Sequence, residues 1–269
     1  MPNVAEWNKF YDSMLAESGL SLYEYKAPQL QRRTVNMMES KSCRSLIDFW
    51  SWISEDRSNL QWYMDKLAIN VSELFRNPER WSDMEEKILP ELSKNSPRLK
   101  VWSAGCSYGA EAYTLAMILQ EEYRGVHEII GTDIDEAAMS QANRGEFCES
   151  DVRYVPDKYR KYVKEGDKNI WRADEKLRKH LSFKRHNLLA DKFGTNYDLI
   201  MCRNVVIYFT EEAKDALYNR FFDALKPGGV LFVGGTERIF KSGEMGYETV
   251  APFFYRKPTL GVKTWQNAS

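Results

Sequence analysis

The sequence predicts an α/β fold: a parallel sheet with helices on both faces, preceded by a small all-helical part and carrying a small β-containing insertion. Three observations predict it. Residues 1–69 hold a single glycine, Gly19, whereas glycines cluster from Gly105 onward. From Leu99, short apolar runs alternate with amphipathic stretches, the pattern of βαβ units whose strands are buried on both faces. A stretch rich in Tyr, Lys, Arg, Asp and Glu, about 145–180, breaks that alternation and reads as an inserted subdomain.

In chain order, Val4, Trp7, Tyr11 and Met14 fall on one face of a first helix, and Leu60, Tyr63 and Leu67 repeat the spacing before Asn70. Both stripes read as core, not as ligand contacts. Between them, residues 26–44 carry five basic side chains, Lys26, Arg32, Arg33, Lys41 and Arg44, against the single acid Glu39, on one predicted helix. That run is either a solvated face or a docking surface for an acidic partner. Strands are predicted over 99–104, 127–132, 181–185, 197–202 and 230–233, with a last strand in 249–256. Helices are predicted after Gly109, over 136–143 and over 211–225, the last with the apolar face Ala213, Ala216, Leu217, Phe221, Ala224 and Leu225. Lys226-Pro227-Gly228-Gly229 stops that helix.

The chain has 269 residues and 31.5 kDa, with 43% hydrophobic and 29% charged residues, which excludes a disordered or collagen-like chain. Lys and Arg number 38 against 39 Asp and Glu, so no global attraction to nucleic acid or an anionic membrane is built in. The N-terminus lacks a basic-then-apolar leader and no apolar run approaches membrane-spanning length, so a cytoplasmic, non-inserted protein is expected. Cys43, Cys106, Cys148 and Cys202 form no CxxC pair and share no zinc spacing with His127, His180 or His186, so free thiols and no metal are expected.

Ligands of open α/β sheets bind at the carboxyl ends of the strands, so the strand-to-helix loops are the candidates. Gly105-Cys106-Ser107-Tyr108-Gly109 lets backbone approach a ligand at a helix N-terminus but lacks the full dinucleotide fingerprint. Asp133 ends the second strand, where a carboxylate can accept both hydroxyls of a ribose, and Asp135 is the better helix cap. Asn187-Leu188 offers an amide for an adenine edge and an apolar cover, or only a turn. Cys202-Arg203-Asn204, followed by Tyr208, puts Asn204 and Tyr208 near the pocket mouth. No Ser-His-Asp order, P-loop or carboxylate pair emerges, which fits a reaction needing little acid-base chemistry, such as methyl transfer to an anion.

Four stretches together resemble the chemotaxis receptor methyltransferases, the CheR family: 70–78 (NVSELFRNP), 103–113 (SAGCSYGAEAY), 131–135 (GTDID) and 202–209 (CRNVVIYF). The resemblance covers nearly the whole chain. It implies a Rossmann-like class I methyltransferase domain over 70–269, with the insertion at about 145–180, behind an N-terminal helical receptor-docking domain over 1–69. The cofactor would be S-adenosyl-L-methionine, contacted by Asn70, Ser72, Arg76, Gly105, Glu111, Asp133, Asn187, Leu188, Arg203 and Asn204. Arg76 and Tyr208 would lie near the transferred methyl as the catalytic pair. The chain departs from the family's usual Thr, Glu and Pro at Tyr108, Ala110 and Ala112, while Glu111 is retained.

The implied reaction is in-line displacement by a receptor glutamate γ-carboxylate, giving a methyl ester and S-adenosylhomocysteine. The implied partner is the acidic cytoplasmic domain of a methyl-accepting chemoreceptor, met by the basic helix around Arg32, Arg33, Lys41 and Arg44. The short link 164–169 resembles members that need no receptor C-terminal tether. No nucleic acid is expected, and a monomer is the default. Other readings are a same-fold methyltransferase with another acceptor, a silent S-adenosylmethionine-binding sensor, and a nicotinamide oxidoreductase.

Overall fold

A computed structural model describes residues 2–67, 70 and 72–259. The front of the chain is helical for local reasons. Helix α1 (Val4–Ser18) opens on a reciprocal capping box between Asn3 and Glu6 and stops at Gly19, whose φ of 69° a side chain would resist. Helices α2 (Ala27–Ser40), α3 (Leu46–Glu55) and α4 (Arg57–Leu67) follow, α2 with Pro28 in its first turn and α3 capped by the Ser45 hydroxyl. They close around Trp7, Phe10, Met14, Phe49, Ile53 and Tyr63. Val4, expected on the inner face of α1, is 75% exposed, and Phe10 takes that place. The predicted basic helix ends at Ser40: Lys41 and Arg44 lie beyond it, and the Lys41 ammonium sits 4.6 and 4.3 Å from the Trp52 and Trp62 ring centres. Only Arg32 and Arg33 of the run lie on α2 itself.

Asn77, at φ 60°, starts a continuous rod: α5 (Pro78–Asp83), a π-turn (Met84–Ile88) and α6 (Leu89–Asn95). The sheet then forms from β1 (Lys100–Ala104), with α7 (Ala110–Glu122), β2 (Glu128–Asp133) and α8 (Glu136–Arg144). The insertion is a three-stranded sheet, β3 (Glu146–Phe147), β4 (Val163–Glu165) and β5 (Trp171–Ala173), ordered β3-β5-β4 among short 3₁₀ turns. The main sheet resumes with β6 (Leu181–Arg185), β7 (Tyr197–Cys202), α9 (Glu211–Ala224), β8 (Leu225–Val233) and the hairpin β9 (Glu248–Ala251) and β10 (Phe254–Arg256). Two expectations are corrected here. Leu225-Lys226-Pro227-Gly228-Gly229 belongs to β8, with a register shift opposite Tyr197 to Leu199, and the predicted last strand is a hairpin turning at Pro252-Phe253. On α9, Ala216 faces solvent and Tyr218 is buried in its stead.

The strand order is β6-β2-β1-β7-β8-β10-β9, parallel from β6 to β8 and antiparallel in the hairpin. The order reverses between β1 and β7, so their carboxyl ends form the crevice where such sheets bind ligands. Alternation along β1 sends Val101 into the core beneath α7 and the 78–95 rod, and Trp102 into the core beneath α9. The Trp102 indole donates to the Thr132 hydroxyl at 2.9 Å, so this buried ring is satisfied as well as packed, and truncating it to Ala costs about 3–5 kcal/mol. No helix among the described residues is long and apolar enough to cross a membrane.

A histidine pair at the amino end of the sheet gives a first prediction. The Leu99 N–H donates to His127 Nδ1 and the His127 N–H donates to His180 Nδ1, so both rings are neutral Nε2–H tautomers, with His180 Nε2 facing the Gln120 side-chain oxygen. Burial, Lys179 and His127 push the His180 pKa down to about 4 from 6.5, and burial lowers that of His127 too. Between pH 6.5 and about 4 the unfolded chain therefore takes up protons the folded one refuses. Stability is full above that window and falls as pH drops through it. His180→Gln, which can still accept from the His127 N–H, should flatten the acid limb of a Tm series; an unchanged limb would remove the histidines as its cause.

Candidate active site

The eleven residues expected at the cofactor and the transferred methyl all line one cleft at the β1/β7 switch point. The chain turns sharply to build it. Gly105 at φ 74° and Ser107 at φ 49° turn successive N–H groups across to the end of β2, those of Gly105 and Cys106 donating to the Thr132 carbonyl and that of Ser107 to Asp133. A Cβ on Gly105 would meet Val205 Cγ2 at 2.5 Å, so the loops after β1 and β7 touch at this glycine.

Asp133 ends β2 with its Oδ2 accepting the Ser107 N–H at 2.8 Å and its Oδ1 the Asp135 N–H at 3.1 Å. Burial raises its carboxyl above the ordinary aspartate range, and the N–H groups of Asp135 and Ser107 pull it partly back. Asp135 caps α8 through the Ala138 N–H, as the sequence indicated. Asn70 joins the two loops: its Oδ1 accepts from the Ser107 hydroxyl and its Nδ2 donates to Asp135.

Tyr108 ties three segments. Its hydroxyl accepts the Ser72 N–H at 3.1 Å, lies against the Ser72 carbonyl, and faces the Asp151 carboxylate of the insertion at 3.0 Å. The segment carrying Ser72 and Arg76 is thereby fixed to the glycine loop and, through Leu74 N–H on the Asp151 carbonyl, to the insertion.

Behind this wall lies the ion pair of Glu111 and Arg203, 3.3 Å apart with side chains 13% and 4% exposed. Glu111 also accepts from the Ser103 hydroxyl at 2.9 Å; burial raises its carboxyl and Arg203 draws it down. Arg203 further donates to the Arg76 carbonyl at 3.1 Å and to Asn77 Oδ1 at 2.9 Å, and stacks over Phe232. Removing one partner would strand a buried charge at a cost of about 3–5 kcal/mol. Arg203 thus lines the cleft mainly by holding the Arg76 turn and Glu111 in place.

The third loop is tighter than the sequence indicated. The Asn187 side-chain oxygen accepts the Leu189 N–H at 3.0 Å, a local turn, so its amide nitrogen is the group left for an adenine edge. Arg220 on α9 braces this loop by donating to the carbonyls of Leu188, Leu189 and Asp191.

Sequence reasoning missed the roof. Leu20, Tyr25, Met64 and Leu67 from the helical front part line the cleft, so the α4 stripe read as core borders the cleft at Leu67 while still packing on the helical core. Tyr25 meets Phe209 edge-on at 5.1 Å, while Lys26 N–H donates to the Tyr208 carbonyl and Thr210 N–H to the Glu24 carbonyl. Apolar side chains on a helix carry no signal separating roof from core. A second, basic groove lined by Lys26, Gln29, Arg32, Arg33 and Asn36 adjoins the cleft and shares Tyr25, Leu67 and Tyr208 with it.

The donor set has a definite chemistry. Asp133 suits vicinal hydroxyls, Glu111 suits an ammonium and the apolar roof suits a flat ring, which together fit a cationic nucleoside, and Arg76 on the same wall suits a carboxylate. A family model described as the CheR methyltransferase SAM-binding domain matches residues 70–251. A chemotaxis protein methyltransferase of Listeria monocytogenes is 37% identical over 243 residues, spanning 89% of this chain and 92% of that protein. One from Listeria innocua is 36% identical over the same shares, and one from Borreliella burgdorferi is 32% identical over 89% of each chain. The chain therefore belongs to the CheR methyltransferase family, and S-adenosyl-L-methionine is its cofactor.

Proposed function

We propose that this protein is a protein-glutamate O-methyltransferase that esterifies glutamate side chains of a methyl-accepting chemoreceptor in the cytoplasm. The observation that carries the reading is the junction of two cavities at Tyr208: a cleft suited to the cofactor opens beside a groove lined by Lys26, Arg32 and Arg33. An acidic helix laid along that groove would bring a glutamate carboxylate to Tyr208, and its flanking acids would meet cations instead of like charge. In this reading residues 1–69 dock the receptor and roof the cofactor, and 70–269 perform the transfer as a monomer.

When bound, the cofactor supplies an electrophilic methyl on a sulfonium. Asp133 holds the ribose hydroxyls, Asn187 and Leu188 the adenine, and Glu111 the amino group, with Asn70, Ser72, Gly105, Arg203 and Asn204 completing the contacts or fixing their loops. A glutamate acceptor, with a pKa of about 4.3, is ionised at neutral pH and needs no general base. Arg76 pairs with that carboxylate and orients it. Burial raises the Tyr208 phenol, so it stays protonated and can donate a hydrogen bond but takes no proton. Alignment and exclusion of water by the roof then supply the rate, orientation alone giving about 7–11 kcal/mol at best.

Charge reversal in the groove tests the docking claim. Arg32→Glu should raise KM for receptor several-fold and weaken its salt dependence, with S-adenosylhomocysteine affinity unchanged. An unaltered KM would move the acceptor's approach elsewhere.

A further inference from the structure

Behind the wall that carries Asn204 and Tyr208 lies a carboxylate that the chemistry above does not use. Glu237, 4% exposed in the loop after β8, accepts four main-chain N–H groups. Its Oε2 takes those of Asn204 at 2.6 Å and Gly234 at 2.8 Å, and its Oε1 those of Val205 at 2.9 Å and Val206 at 3.0 Å. Three of the donors are consecutive and open the single 3₁₀ turn Val206–Tyr208 that presents the phenol.

The surroundings show how closely this loop is set. Asn204 adopts φ 60°, a left-handed conformation that needs outside support. A Cβ on Gly234 would fall 2.3 Å from Glu237 Oε2 and 2.9 Å from the Asn204 nitrogen, so only glycine admits this approach. On the far side, Val205 abuts Gly105. A shift of the 204–206 backbone would therefore move the cofactor loop and the Tyr208 turn together.

We propose that Glu237 is a positioning residue for methyl transfer: its carboxylate draws Asn204–Val206 to one depth and so places Asn204 and Tyr208 against the cofactor loop. The proposal rests on the reading that Tyr208 borders the reacting groups. A carboxylate is required because both of its oxygens accept. A glutamine of the same shape keeps one accepting oxygen and turns an NH2 toward two N–H donors, leaving them unpaired and the turn displaced.

Glu237→Gln is thus the test, with two readouts on the full-length protein. kcat for methyl transfer should fall about ten-fold or more, as expected for a sub-ångström to ångström misplacement, while the affinity for S-adenosylhomocysteine, which would keep its Asp133 and Asn187 contacts, should fall by a smaller factor. Amide exchange at residues 204–206 and 234 should accelerate while β1 and α7 keep their protection. Wild-type kcat, or exchange that quickens evenly across the sheet, would overturn the proposal. Exchange needs no acceptor, so an error in the acceptor assignment would show separately, as absence of transfer by the wild-type protein.

Discussion

Arg76→Ala should lower turnover by about 10²-fold or more while leaving a folded protein, because the side chain and the backbone at this position do different work. The backbone is clamped: the Arg76 carbonyl accepts from the Trp81 indole at 3.1 Å and from Arg203 at 3.1 Å, and its N–H donates to the Glu73 carbonyl at 3.3 Å. Phe75 and Asn77, both at positive φ, turn the chain on either side, and Phe75 and Trp81 are buried. None of this needs the guanidinium, which lies on the cleft wall where its field reaches Glu111, Arg203 and Tyr208. Truncation therefore deletes the cation that would hold the acceptor carboxylate, while these main-chain clamps on the loop remain. Arg76→Lys keeps charge but loses the planar two-pronged fork, so it should recover only part of the rate. Single-turnover rates with thermal unfolding alongside would check this; full activity in the alanine variant would remove Arg76 from the reaction.

Asp133→Ala should weaken S-adenosylhomocysteine binding by about 10²-fold, since hydrogen bonds to a charged group contribute about 1.5–3 kcal/mol each and two are expected to the ribose. The variant also releases the Ser107 and Asp135 N–H groups, loosening the glycine loop that faces the ligand. Asp133→Asn keeps the shape but turns a donor toward one of those N–H groups, so it should lose nearly as much. Because burial raises this carboxyl, the neutral form appears at a higher pH than for an exposed aspartate, and affinity should fall as pH drops through that raised value. Calorimetric titration across pH would show it. Affinity in the alanine variant equal to wild type would place the ribose elsewhere.

What could be read from the residues follows a physical line. The strands of the main sheet are buried on both faces, so Tyr197–Cys202, buried throughout, announces itself by the apolar run Leu199-Ile200-Met201-Cys202 that follows the buried Asp198. The insertion's strands of two or three residues are too short for any period, and only its departure from the alternation was legible. The 78–95 rod carried a signal in Trp81, Met84, Ile88 and Leu92, all buried, with Pro78 at its start.

The site divides the same way. Asp133 and Asn204 were legible because topology puts strand ends at the crevice and their side chains are polar, whereas Glu111, on α7, came only with the family resemblance. Leu20, Met64 and Leu67 were not, since a roof made of apolar helix residues has the composition of a core. Glu237 was hidden for another reason: it acts on backbone N–H groups, whose positions exist only once the loops are folded. Lys41 was misplaced because sequence counts a lysine as an exposed charge, whereas this one is occupied by the faces of Trp52 and Trp62.

The most direct test of the account is transfer of radiolabelled methyl from S-adenosylmethionine to chemoreceptor-containing membranes, followed by mild base. The account predicts label on the receptor that base releases as methanol, the signature of a carboxyl methyl ester. Base-stable label, or none despite measurable S-adenosylhomocysteine binding, would contradict it and assign the same cleft to another acceptor or to sensing without transfer.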